Sequence, residues 1–240
     1  LDPIQSKFHA LLLEHGIDLT TTQLEQFETY YEELVTWNEK MNLTGITERE
    51  QVYIKHFYDS VSLSFYVDMS RISSVADIGS GAGFPGIPLK ICFPELKLTI
   101  IDSLNKRIGF LQNVVDKLGL CDVELLHGRA EDMARKENLR DAFDLVTARA
   151  VARMAVLNEF CLPFVKNGGI FAAMKGSDPG EEIKESVRSM YELKGKLRDT
   201  HHFSLPLENS DRHIVIVSKT GNTPKKYPRK AGTPLKSPLV

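Results

Sequence analysis

Cysteine is scarce: three residues among 240, and Cys92, Cys121 and Cys161 stand apart, without the paired spacing of a zinc ligand set or a disulfide framework. That excludes a disulfide-stapled scaffold and a thiolate metal site, and the thiols are expected to be buried and reduced in a cytosolic protein. No run of about 18 apolar residues occurs, so a membrane span is not expected. Leu1-Asp-Pro-Ile-Gln-Ser-Lys-Phe8 lacks a basic segment followed by an apolar stretch and does not read as a secretory signal. Charge of one sign is missing too. Lys and Arg number 30 against 32 Asp and Glu, a net charge of -2 that argues against a chain basic throughout. No internal repeat is evident, no metal is expected, and a monomer is.

Glycine, by contrast, is concentrated where it carries chemistry. Val75-Ala-Asp-Ile-Gly-Ser-Gly-Ala-Gly-Phe-Pro-Gly86 puts a carboxylate and four glycines between a predicted strand and a helix opening at Pro88. Gly81, Gly83 and Gly86 match the G-x-G-x-x-G spacing of a dinucleotide loop, whose pyrophosphate meets a helix N-terminus. That register would bury Gly79 inside the strand, which strand propensity disfavours. Asp77, Gly79, Gly81 and Gly83 as D-x-G-x-G-x-G fit better. That pattern suits S-adenosylmethionine (SAM), with Asp77 near the cofactor's cationic amino group. A glycine turn that holds no ligand is the third reading.

Two helical stretches precede the loop. Thr22 to Met41 carries Leu24, Phe27, Tyr31, Leu34 and Met41 on one face, with Thr22 and Glu25 as a capping box, and a second helix covers roughly Glu48 to Val67. After Arg71 strands alternate with helices. Strands are expected near residues 73–79, 97–102, 122–127, 143–148, 169–174, 196–204 and 213–218. The fold class is therefore α/β: a Rossmann-like, mostly parallel seven-stranded sheet with an antiparallel edge, plus an N-terminal helical extension. Three regions follow: residues 1–70 helical, 71–220 cofactor-binding, and 221–240 a basic, proline-rich tail. From Lys219 to Val240 there are six Lys or Arg, four prolines and no acid, a composition unable to pack a core and suited to a polyanion.

Ligands of open α/β sheets bind beyond the carboxyl ends of the strands. Asp102 and Ser103 end the second strand, where an acid accepts both hydroxyls of a ribose. Ala130 and Glu131 follow the third, placed to meet an adenine ring, with helix capping by Glu131 or Asp132 as the alternative. After the fourth strand stands Thr147-Ala-Arg-Ala150. The Asn/Asp-Pro-Pro-aromatic tetrad of enzymes that methylate exocyclic amines is missing there, and no Pro-Cys or Thr-Cys dipeptide supplies a nucleophile for cytosine carbon. What remains is a target with an in-plane lone pair, and guanine N7 is the most nucleophilic in RNA. It needs no general base; Arg149 would orient the base or hold a phosphate. Lys106, Arg107, Arg129, Arg153, Lys175 and Arg212 fall on the same edge. Each alone reads as a solvated or salt-bridged residue, yet together with Lys225, Lys226, Arg229 and Lys230 of the tail they make an RNA face. His56 reads as the partner of a nearby acid rather than a catalyst.

Asn42-Leu-Thr44, Lys55-His-Phe-Tyr-Asp-Ser60, the glycine loop, Asp102-Ser-Leu-Asn-Lys-Arg107, Arg129-Ala-Glu131, Thr147-Ala-Arg-Ala-Val151 and Thr223-Pro-Lys-Lys-Tyr-Pro-Arg-Lys-Ala-Gly-Thr-Pro234 together closely resemble the bacterial ribosomal RNA small-subunit methyltransferase G family, also called glucose-inhibited division protein B. The resemblance spans nearly the whole chain. It implies a class I SAM-dependent fold and methyl transfer to N7 of a guanine in 16S ribosomal RNA, in the decoding region of the small subunit, in the cytoplasm. It further implies SAM contacts at Gly79, Phe84, Ala130, Glu131 and Arg149, and RNA-binding or catalytic roles for Lys106, Arg107, Arg129 and Lys175. Two other functions stay open: an NAD(P)-dependent oxidoreductase with Lys106 and Arg107 near a 2′-phosphate, and a non-catalytic RNA-binding assembly factor.

Overall fold

The computed structural model describes residues 2–240. Among them the strands are β1 (Ser74–Ile78), β2 (Lys97–Asp102), β3 (Val123–His127), β4 (Phe143–Arg149), β5 (Val165–Lys175), β6 (Gly195–Ser204) and β7 (Asp211–Lys219). They form one sheet in the order β3-β2-β1-β4-β5-β7-β6. β1 to β5 are parallel, and β7 runs antiparallel to both β5 and β6. The expected strands agree to within a few residues. β5 starts earlier because Lys166-Asn-Gly-Gly169, which reads as a turn, is an irregularity within the strand where pairing slips between Phe143 and Leu145. The chain leaves β1 in one direction through β2 and β3, then returns to β4 on its other side. That reversal opens a crevice at the carboxyl ends of β1 and β4.

Alternation along the strands feeds two cores. Val75, Leu98, Ile100, Leu145, Ile214 and Ile216 face one, with α1 (Pro3–Leu13), α2 (Thr21–Met41), α3 (Gly86–Cys92) and α4 (Asn105–Leu118). Ala76, Ile78, Ile101, Val146, Val215 and Val217 face the other, with α5 (Met154–Cys161). Phe8, Phe27, Tyr30 and Phe57 join the N-terminal helices to the sheet, and the Tyr30 hydroxyl donates to the Ala82 carbonyl at 2.5 Å.

Four expectations are corrected. The capping box of α2 is Thr20 with Gln23, because the helix begins at Thr21. The helix expected over Glu48 to Val67 is broken: a π-helical turn, Tyr53–Tyr58, interrupts it, and its last turn, Ser62–Phe65, is 3-10. Cys121 is exposed, while Cys92 and Cys161 are buried. The basic tail packs. Tyr227 and Leu239 belong to the second core, because the segment carries apolar residues between its cations. Arg140 donates to the carbonyls of Thr223, Pro224 and Tyr227, and buried Lys219 meets Asp141 at 2.7 Å.

Candidate active site

The glycine turn is held from below. Asp77 ends β1 wholly buried, and its Oδ2 accepts from the Ser80 hydroxyl at 2.5 Å and the Gly86 amide at 2.8 Å. Burial raises its pKa to about 6, against the lowering effect of those two bonds. Asp102 is spent likewise: its oxygens accept from the Gly81 and Leu104 amides at 3.0 and 2.9 Å, with Arg107 3.5 Å away. Both acids, expected to touch the cofactor, brace the turn, because a chain folded this tightly exposes amides that need acceptors, while Asp77 Oδ1 has no partner. Gly79, at φ +69°, lies so close to Val151 that an added Cβ would meet a methyl at 3.0 Å. Gly83 packs on Tyr30 and Leu111 and faces no ligand space.

Beyond the turn lies a cavity of about 410 Å³. Gly79, Ser103, Ala130, Glu131 and Val151 line it, so four of the expected cofactor positions meet there, one each from the βα junctions of β1 and β2 and two from that of β3. Ile78, Ile101, Leu104, Gly128, Phe160 and Leu235, which were not expected, and Arg129, expected on RNA, complete the wall. Leu235 comes from the tail, whose Gly232 amide donates to Glu131 Oε1 at 2.8 Å. The Glu131 carboxylate, expected on an adenine amine, is thus partly engaged by this strap.

A second cavity, of about 280 Å³, lies across the turn Arg149-Ala150-Val151 from the first. Lys55, His56, Asp59, Arg149, Lys175 and Arg212 line it. Ala150 sits at φ +54°, a left-handed conformation that a non-glycine residue holds only where its surroundings impose it. Arg149 belongs to this cavity rather than the first. Its guanidinium lies 4.8 Å over the Phe84 ring and donates to the Lys55 carbonyl, Asp59 Oδ2 and His56 Nδ1 at 3.2, 3.3 and 3.3 Å. Phe84 itself is buried beneath it and stacks on His56 at 4.7 Å. His56 has no acid partner, contrary to expectation; Nε2 meets Thr44 Oγ1 at 2.7 Å, and burial, with Arg149 beside it, lowers its pKa to about 3. The residues missed here are Asp59 and His213. The signal for Asp59 was a polar run, Lys55 to Ser60, between aromatics, but the π turn that aims it is not visible in sequence; His213, in β7, has no such signal.

The basic candidates divide. Lys106, Arg129, Lys225 and Lys230 are exposed and make no ion pair among the described residues. Arg153 pairs with Glu185, Arg212 with Asp59 and Lys226 with Glu192. Lys175, expected to be catalytic, fastens the turn instead, to the Ala152 carbonyl at 2.9 Å and Glu182 at 2.8 Å. Arg229, expected on RNA, forks onto fully buried Glu159 with bonds of 2.7 to 3.1 Å.

A seven-stranded sheet with one antiparallel strand, β7, next to its edge and a glycine turn at its switch point defines the class I SAM-dependent methyltransferase fold. TYW2 of M. jannaschii, solved in complex with AdoMet, superposes with a TM-score of 0.52 at 18% identity, over 70% of this chain and 76% of that one. The [4+2]-cyclase SpnF superposes at 0.57 and 11% identity, over 85% and 98%, so the fold alone does not set the reaction. Sequence narrows it. The family model for rRNA small subunit methyltransferase G matches residues 23–215. Ribosomal RNA small subunit methyltransferase G of Bacillus thuringiensis strain Al Hakam is 56% identical over 233 residues, 97% of this chain and 98% of that protein, and that of Bacillus cereus strain AH187 matches equally. The chain belongs to the rRNA small subunit methyltransferase G family.

Proposed function

We propose that the chain transfers a methyl group from SAM to N7 of a guanine in 16S ribosomal RNA, in the decoding region of the small subunit, and so acts in the cytoplasm. The observation that carries this is the pair of cavities meeting at Arg149-Ala150-Val151, one lined by the glycine turn and Ala130, the other rich in cations. The first suits a nucleoside: Gly79 and Ala130 leave room for rings, and Ser103 offers a hydroxyl. When bound, SAM supplies a methyl carbon on a cationic sulfur, which leaves with the bonding pair as the N7 lone pair forms the new bond.

No proton leaves N7, so no general base is required, and the site fits that economy. His56 is held neutral with Thr44 on one nitrogen and Arg149 on the other. Arg149 keeps its charge although burial pulls its pKa down, because a guanidinium starts so high. It and Arg212 can orient O6 or a phosphate, and Lys175 fixes the turn between the cavities, so catalysis rests on alignment and exclusion of water. Exposed Lys106, Arg129, Lys225 and Lys230 extend a cationic path for the RNA backbone. The family membership argues against the oxidoreductase reading.

Labelled-methyl transfer from SAM to ribosomal RNA of a strain lacking this protein tests the reading. Incorporation at a single guanine, cleavable by the chemistry specific for N7-methylguanosine, is expected. Incorporation elsewhere, or none, would overturn it.

A further inference from the structure

Some buried carboxylates of this protein use both oxygens; Asp77, under the glycine turn, leaves Oδ1 without a partner but lines neither cavity. Asp144 takes Ser73 and Ser74 on Oδ2 and Lys166 on Oδ1, and Glu159 takes Arg229 on both. Asp59 does not. It is 4% exposed and lines the cationic cavity, yet its Oδ1 is buried without a hydrogen-bond partner. Its Oδ2 reaches Arg149 and Arg212 at 3.3 and 3.2 Å, long for charge-assisted bonds; Arg149 is held further by the Lys55 carbonyl, His56 Nδ1 and the Phe84 ring, and Arg212 by the Asp211 carbonyl. His213, on the wall contributed by β7, likewise has a buried Nδ1 with no partner. The cavity is therefore lined by four cationic side chains, Lys55, Arg149, Lys175 and Arg212, with one unpartnered carboxylate oxygen and one unpartnered ring nitrogen. A site for an RNA phosphodiester alone would have no use for the carboxylate, since a phosphodiester carries no proton to donate at neutral pH.

We propose that Asp59 is the residue that selects guanine, accepting hydrogen bonds from N1–H and the N2 amine of the target base while the arginines serve O6. This rests on the reading of the cavity as the site of the methylated base, and names what that site recognises. Guanine alone among the RNA bases presents two adjacent donors, a ring N–H and an amine, on its pairing edge, and a carboxylate is their complement. Adenine would turn the N1 lone pair toward the carboxylate, leaving two acceptors face to face in a buried space, and so is rejected more strongly than it fails to bind. The pairing edge and N7 lie on different edges of the purine, so a base gripped by Asp59 keeps N7 free for the seam at Arg149-Ala150-Val151. The same contact favours the reaction itself. As N7 gains the methyl the ring gains positive charge, N1–H becomes more acidic, and its bond to the carboxylate strengthens in the transition state over the ground state.

The test compares small-subunit RNA carrying guanosine or inosine at the methylated position, with full-chain wild type, Asp59→Asn and Asp59→Ala. Inosine keeps N7 and N1–H and lacks only the N2 amine. Wild type is expected to favour guanosine by about 10- to 100-fold in kcat/KM. In Asp59→Asn, activity on guanosine should fall about 100-fold or more and the guanosine-to-inosine ratio should collapse toward one, with SAM affinity by calorimetry within about threefold of wild type. A wild type indifferent to inosine overturns the proposal without any variant being made. So does an Asp59→Asn enzyme, weakened or not, that keeps the wild-type ratio; that result would make Asp59 a brace for the arginines. Failure of wild type to methylate either RNA while binding SAM would remove the proposed function itself, a distinct outcome.

Discussion

His56 sits among cations, with Arg149 donating to one ring nitrogen, Thr44 on the other and Phe84 stacked on its face. Its folded pKa, about 3, lies below the usual value near 6.5, so the unfolded chain takes up a proton that the folded chain refuses. Stability from the neutral ring is therefore complete above about pH 6.5 and is lost as pH falls toward 3. Between about pH 7 and pH 5 the wild type should lose roughly 1 to 2 kcal/mol more stability than His56→Gln, read from urea midpoints at the two pH values. Equal losses would contradict the assignment. At this scale the sequence was informative about position and poor about duty. Gly79, Ser103, Ala130 and Glu131 were legible because they follow strands at the edge where ligands bind, and all four line the cavity. Asp77 and Asp102 follow the same logic, yet their oxygens hold Ser80, Gly86, Gly81 and Leu104. The demand of a tight turn for acceptors depends on which amides it strands, and spacing does not reveal that.

Among the elements, the tail departs furthest from expectation. Its composition reads as a solvated polycationic arm, but Arg229 reaches Glu159 in α5, and Tyr227 donates to Glu192 at 3.1 Å. Composition counts cations and cannot tell which of them find buried partners 70 residues away. Arg229→Ala would leave the Glu159 carboxylate buried and unpaired, a loss of about 3 to 5 kcal/mol in folding stability by urea denaturation, whereas Lys230→Ala should stay within about 0.5 kcal/mol. If Arg229→Ala instead weakened RNA binding at unchanged stability, the residue would belong to the RNA face. The π turn at Tyr53–Tyr58 is the other element hidden from sequence, since one extra residue in a turn leaves the apolar periodicity nearly intact while redirecting His56 and Asp59.

For the molecule as a whole, strand-helix alternation was enough to foresee a mostly parallel sheet with an antiparallel edge, because each strand carries its own β-rich, apolar run. The spatial order of the strands is set by pairing between distant segments, and local pattern carries no record of it. That order matters because β1, with β2 on one side and β4 on the other, puts the glycine turn beside the first cavity and the Arg149-Ala150-Val151 turn between the two, and the tail closes the first through Leu235 and Gly232. The central claim is that this cavity holds the methyl donor. Titration calorimetry of SAM against the full chain and against Ala130→Trp, whose side chain would fill the cavity, tests it most directly. Micromolar-range binding by the wild type and at least a 100-fold loss in a variant with unchanged circular dichroism are expected; equal affinity in the two would contradict the claim.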